Sequence, residues 1–178
     1  EGYGIESGAL REAPQDTASV WLCVAPDGNE QSLLQTRLGI GVQALESSLD
    51  PDEVARIEIK PDHLFLIWKR PESFDGRAFN VSSFGVVLSE KRLAVICASN
   101  SLLSSLSGES QLNGPLDVLM ALLAESVHHY LGHLRVVKQV AREIQQQFTR
   151  TMDNQQLAQM YNLSESLVYY VNAIQSNG

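Results

Sequence analysis

Several things are scarce in this 178-residue sequence, and each scarcity excludes something. Cysteine occurs twice, as Cys23 and Cys97, each inside an apolar run. That is no disulfide framework; it predicts two buried free thiols in a protein of a reducing compartment. Basic residues are few: 13 Lys and Arg stand against 21 Asp and Glu, for a formal net charge of −8. A nucleic-acid binder needs a basic surface, so that class is excluded. No apolar run reaches the roughly 20 residues of a membrane span, and no signal peptide is present. Phosphate-loop and dinucleotide glycine patterns, a nucleophile elbow and cysteine pairs at zinc spacing are all missing. No catalytic constellation emerges, and no cofactor is called for. The sequence starts at Glu1 rather than Met, as expected of a trimmed piece. Two glycosylation-like triplets, Asn80-Val81-Ser82 and Asn162-Leu163-Ser164, fall in a predicted strand and helix and carry no meaning in an intracellular protein.

What is present in quantity is helical periodicity at the carboxyl end. From Pro115 to Phe148 one apolar set is Met120, Val127, Leu134, Ala141 and Phe148, and the other is Leu116, Leu123, Tyr130, Val137 and Ile144. The alternating spacing places both on one stripe of one helix. At 1.5 Å per residue that helix is about 50 Å long, against roughly 40 Å for a compact domain of this size. Arg135, Lys138, Arg142 and Glu143 interrupt it, so it is no span. A second run, Asn154 to Ile174, repeats the spacing with Leu157, Met160, Ser164, Leu167, Val171 and Ile174, and Asp153 with Gln156 resembles a capping box at its start. The prediction is a long antiparallel helical hairpin over 115–178.

The rest, 1–114, reads as a sheet with short helices. Strands are expected over Gly4 to Leu10, Ala18 to Ala25, Val54 to Ile59, His63 to Lys69, Phe79 to Leu88 and Arg92 to Ala98. The continuous run His63 to Lys69 predicts a central strand. Ser89-Glu90-Lys91 joins the last two strands as a hairpin. Asn29 to Leu38 and Val42 to Leu49 read as helices, the first ended by Gly39 and Gly41. A short helix is possible in 100–114. The fold class is therefore α+β, a mixed β-sheet in an α/β/α sandwich with the hairpin packed across it, 115–178 being part of the same domain.

Two clusters have ligand-like composition. Glu46, Asp50, Asp52 and Glu53 could attract a divalent cation through carboxylate oxygens; an Asp/Pro turn has the same composition and is the plainer reading. Glu125, His129 and His133 recur every four residues, with His128 adjacent, but a solvated polar face accounts for them and zinc asks for three or four ligands. His63, Trp21 and Trp68 are expected to be structural.

The ordered set of segments resembles the cytoplasmic domain of CorA-type divalent-cation transporters, in particular the two-transmembrane CorA-like branch. Leu38-Gly39-Ile40-Gly41 through Leu45-Glu46, then Leu49-Asp50-Pro51-Asp52-Glu53 and Arg56-Ile57-Glu58, are similar to that family's helix, acidic turn and strand entry. His63 to Pro71, Phe84-Gly85-Val86-Val87-Leu88 and Leu93-Ala94-Val95-Ile96 resemble its strand hairpin, and Glu165-Ser166-Leu167-Val168-Tyr169-Tyr170 with Ile174 and Asn177 its late helix. The likeness covers most of the chain. It implies a homopentameric channel of the inner or plasma membrane, this domain facing the cytoplasm, the spans and their Gly-Met-Asn signature lying outside these residues. It further implies transport of Mg2+, or of Co2+, Ni2+ or Zn2+, and regulation by divalent ions at acidic subunit interfaces. Where the family has Leu-Glu-Asp this chain has Leu45-Glu46-Ser47, and Ser47 supplies no charged oxygen; a regulatory site would shift to Glu46, Asp50, Asp52 and Glu53. The alternative is a stand-alone oligomerisation or interaction module without transport activity.

Overall fold

The structure is a computed structural model, and it describes residues 1–72, 80–99, 111–148 and 154–178. In chain order the elements are β1 (Gly2–Glu6), β2 (Ala9–Glu12), β3 (Val20–Val24), α1 (Gly28–Leu38), α2 (Val42–Leu49), β4 (Arg56–Ile59), β5 (Leu64–Pro71), β6 (Val81–Leu88), β7 (Leu93–Cys97), α3 (Pro115–Phe148) and α4 (Asn154–Asn177). The seven strands form one sheet in the order β2-β1-β3-β7-β6-β5-β4. β3 and β7 pair in parallel, Val20 opposite Leu93 through Val24 opposite Cys97. The other neighbours are antiparallel, so the sheet is mixed.

The strand residues alternate between two cores, as the two-residue period of a strand requires. Val20, Leu22, Leu66, Phe84, Val86, Leu93, Val95 and Cys97 pack on one face with Val118, Leu119 and Leu122 of α3. Trp21, Phe65, Ile67, Val87, Ala94 and Ile96 pack on the other with Leu34, Ile40 and Leu45 around α1 and α2. This is the α/β/α sandwich expected from the sequence. Local chemistry sets its short helices. The Asp27 carboxylate accepts from the backbone N–H of Asn29 and Glu30, while Glu30 accepts from that of Asp27, a reciprocal cap for α1. Gly39, at φ 66°, ends it in the left-handed conformation that glycine adopts without strain.

Four sequence expectations need correction. The single strand over Gly4 to Leu10 is a hairpin, β1 and β2, turned at Ser7 and Gly8, both at positive φ. β5 is penultimate and β7 central; an unbroken apolar run reports cover on two faces, not place in the strand order. β4 begins at Arg56, and its apolar side chains Ile57 and Ile59 are exposed at the sheet edge. Finally, the predicted stripe holds only over the second half of α3, where Tyr130, Val137 and Ile144 are buried as expected; its first half and most of the α4 set are not the buried seam. In α3 the buried residues are Val118, Leu119, Leu122, Ser126, Tyr130, Val137 and Ile144, whereas Leu116, Met120 and Val127 are 57%, 58% and 49% exposed. The first three pack on the sheet, and from Tyr130 onward the helix packs on α4. A straight helix drifts by about 20° per heptad relative to a seven-residue repeat, so one stripe cannot serve both partners. In α4 the seam is Ser166, Tyr170 and Ala173 with Leu163 and Leu167 beside it, while Leu157, Met160, Val171 and Ile174 are exposed. The expected cap at Asp153 and the helix in 100–114 (up to residue 110) lie outside the described residues.

The hairpin itself is antiparallel. Tyr130 and Tyr170 meet edge to face with ring centroids 5.5 Å apart, and at the far end Ile144 shares a groove with Leu163. Trp68 reaches from β5 to donate its indole N–H to Ser126 Oγ at 2.9 Å, a core role with a satisfied polar end. Both cysteines are free, and burial pushes each thiol up to about 11, so neither is a thiolate at neutral pH.

The packing of α2 on β6 depends on one missing side chain. A Cβ at Gly85 would lie 1.9 Å from Ser48 Oγ and 2.5 Å from Ser48 Cβ, and Ser48 is fully buried with its hydroxyl bonded to Ala44 O. Gly85→Ala should cost about 1–3 kcal/mol in chemical denaturation, the range for overpacking a close contact. Ser48→Gly should recover part of the loss, making the pair non-additive.

Candidate functional site

The four carboxylates singled out in the sequence sit where α2 hands over to β4. Asp50 caps α2, and its Oδ1 accepts from the backbone N–H of Asp52 at 2.8 Å, an Asx turn. Glu46, Asp50 and Asp52 face solvent, and Glu53 is half-buried. Glu53 is the carboxylate most tied down. Arg56 lies 3.0 Å from it and 2.8 Å from Glu58, and also donates to Ser47 Oγ at 3.4 Å. The hydrogen bond from Ser47, then the Val54 backbone and Arg56, hold the Glu53 pKa below its ordinary value. Ser47 is thus buried beneath a guanidinium at the position where the resemblance implies an aspartate.

A second cation approaches from the sheet. Lys69, 8% exposed, donates from Nζ to Pro51 O at 2.6 Å. Burial lowers its pKa, and Asp52, Asp50 and Glu53 pull the other way. The acidic turn is therefore offset in part within the chain, Arg56 pairing with Glu53 and Lys69 lying beneath the turn on the Pro51 carbonyl. The end of α4 closes the same corner. Asn177 accepts from Lys69 N at 2.9 Å and donates to Lys69 O at 2.7 Å. Ser176 Oγ accepts from Ala55 N at 2.8 Å. β4 stops pairing at Arg56 opposite Ile67, so the Asn177 carboxamide continues the β5 ladder in place of a strand. Between turn and helix lies a cavity of about 610 Å³, walled by Asp52, Glu53, Lys69, Tyr169 and Asn172 among others. Asn177 was noted in the sequence only through the family likeness. A signal for Lys69 was available, since a lysine inside an apolar strand calls for a partner.

The histidines go elsewhere. His133 bonds through Nδ1 to the Tyr170 hydroxyl across the hairpin and stacks on that ring. Burial, and secondarily His129, lower its pKa. Glu125, His128 and His129 remain on the exposed face. Among the described residues no three His, Cys, Asp or Glu side chains are grouped to hold a metal ion, and no helix is long and apolar enough to cross a membrane.

These features define a class: a three-layer domain whose sheet carries a helical hairpin, α3 alone having 34 residues. No protein-family model and no curated protein matches the chain. Solved structures do. The soluble domain of CorA from Methanocaldococcus jannaschii superposes with a TM-score of 0.81 at 21% identity, over 99% of this chain and 74% of that one. The complete structure of the CorA magnesium transporter from the same organism gives 0.77 at 22% identity over 94% of this chain, which spans 56% of that one. The full-length CmaX protein gives 0.69 at 15% identity, over 97% of this chain and 59% of that one. The fold is thus that of the CorA soluble domain, as the resemblance implied.

Two outcomes test this corner. Asn177→Ala strands the Lys69 backbone N–H and C=O and should cost about 1–3 kcal/mol, with faster amide exchange at Lys69. The second concerns pH. Because the folded pKa of Glu53 is depressed, its contribution is complete above the ordinary carboxylate range and is lost as pH falls through the folded value. Glu53→Gln should therefore lower stability at neutral pH by about 1 kcal/mol or less, and in acid unfolding curves the difference from wild type should shrink only as the pH falls from the ordinary carboxylate range through the lower folded value of Glu53.

Proposed function

We propose that this chain is the cytoplasmic regulatory domain of a CorA-like transporter of divalent cations, Mg2+ in the first instance and Co2+, Ni2+ or Zn2+ as the alternatives. The observation that carries the reading is the superposition on the CorA soluble domain across 99% of the chain. In this reading the membrane spans lie outside these 178 residues, the assembly sits in the inner or plasma membrane, and the domain has no catalytic role.

The reading includes a homo-oligomer, a pentamer in the complete protein, and surface chemistry supports the self-association though it does not set the number of copies. Leu116, Met120, Val127 and Leu131 make an exposed apolar line along α3, spaced so that they share one face. A line of large apolar side chains is costly in water unless something covers it. A regulatory ion would bind at Glu46, Asp50, Asp52 and Glu53. Mg2+ keeps several waters and takes one or two carboxylates, and Glu46, Asp50 and Asp52 face solvent without an ion pair among the described residues.

The test is flux of Mg2+, Co2+, Ni2+ and Zn2+ through the complete protein in liposomes, alongside sedimentation of the 178-residue chain. Transport of at least one cation is expected. Met120→Glu with Val127→Glu should weaken self-association by roughly tenfold or more, one buried aliphatic contributing about 1.5–3 kcal/mol. A complete gene that encodes no hydrophobic spans would sink the transporter reading and leave the stand-alone module.

A further inference from the structure

At the opposite end of β5 from the acidic corner lies a second cavity, of about 410 Å³. Its walls come from the last turn of α1 (Arg37), the entry to β5 (Asp62, His63) and the β6–β7 turn (Lys91, Arg92). The molecule as a whole carries a charge of −8, yet three of its cations converge here. Their partners leave donors to spare. Arg37 lies 3.7 Å from the exposed Asp16 carboxylate. The Arg92 guanidinium rests on the Trp21 ring at 4.8 Å and donates to Asp16 O at 3.4 Å. An arginine has five N–H donors, and stacking on Trp21 fixes the plane in which the rest are presented. Lys91 is exposed and makes no ion pair among the described residues.

His63 supplies the independent observation. It is 8% exposed, and its Nδ1 meets Asp62 Oδ1 at 2.9 Å, which commits the one carboxylate on the cavity wall. Its Nε2 is buried with no hydrogen-bond partner. An orphaned buried nitrogen needs a physical account, and an absent ligand is one. Three cations and a ring nitrogen around a cavity suit a ligand with several acceptor oxygens and two negative charges. Leu38 and Val87 add an apolar wall, which suits an organic body beside the anion. The surrounding negative field disfavours a long polyanion such as a nucleic acid.

We propose that this cavity binds the phosphate group of a small soluble molecule, with Arg37, Lys91 and Arg92 holding the phosphate oxygens; His63, whose Nδ1–H is committed to Asp62, adds a donor at Nε2 when its ring is the imidazolium, and in the neutral ring accepts there from a protonated phosphate oxygen. The site is separate from the acidic corner and does not depend on the transport reading.

The probe is inorganic pyrophosphate, titrated by calorimetry into the 178-residue chain in EDTA, so that divalent ions play no part. The His63 ring resonances are followed by NMR in parallel. Saturable binding with a shift of the His63 signals is expected. Lys91→Glu and Arg37→Glu, both at exposed positions, should each weaken it by roughly tenfold, the loss of one charge-assisted contact, while Asp50→Asn at the other end should leave it unchanged. His63→Gln, which keeps a donor, should bind better than His63→Leu. Vesicles containing phosphatidic acid present the same phosphate from a lipid, and no binding to them is expected. Pyrophosphate binding no tighter than chloride, binding indifferent to both charge reversals, or binding to the vesicles alone would each overturn the proposal.

Discussion

A strand that buries apolar side chains on both faces can exist only between two apolar layers, and four strands of this protein are of that kind. β3, β5, β6 and β7 bury side chains on both faces, Phe65, Ile67, Phe84 and Val86 being fully enclosed. Each such side chain is worth about 1.5–3 kcal/mol when removed from water, so neither layer is dispensable. One layer is made of the short helices α1 and α2. The other is the first third of α3. The sheet can be covered only if α3 lies down on it at Val118, Leu119 and Leu122, and that contact fixes the direction in which the rest of the hairpin runs.

α4 then returns along α3 and is tied to the sheet at its far end. The tie is polar: Asn177 on the Lys69 backbone and Ser176 on Ala55. Lys69 stands at the centre of this corner, its backbone held by α4 and its ammonium by the acidic turn. A change in the charge of that turn therefore bears on a residue whose backbone α4 holds. Three hydrogen bonds thus join the Pro51 carbonyl, within the acidic turn, to the end of α4 through Lys69.

The element types were legible because local chemistry and periodicity agreed. The Gly39 stop of α1 and the hairpin of β6 and β7 each act over a few residues, and the structure has them as read. The hairpin seam was legible only in its second half, at Tyr130, Val137 and Ile144. Apolar residues at helical spacing in α3 form two stripes, Val118-Leu122-Tyr130-Val137 and Leu116-Met120-Val127-Leu131, and periodicity weighs both alike. Among the described residues only the first meets a partner within this chain. The same holds for the acidic turn: its carboxylates were visible, but Arg56, which pairs with Glu53, and Lys69, which lies beneath the turn, come from strands whose register no local pattern states.

The sequence by itself determined what depends on neighbours in the chain: helix caps, strand alternation, the two-sided burial that demands a sandwich, and the absence of a spanning segment in these residues. The tertiary structure alone decided the strand order, the parallel pairing of β3 with β7, which of two apolar stripes is buried, and which cations meet at each end of β5. The reason is physical. Capping and alternation are set by contacts a few residues apart, whereas the meeting of Lys69 with Asn177, or of Arg37 with Lys91, is paid for by the whole core and exists only once that core has closed.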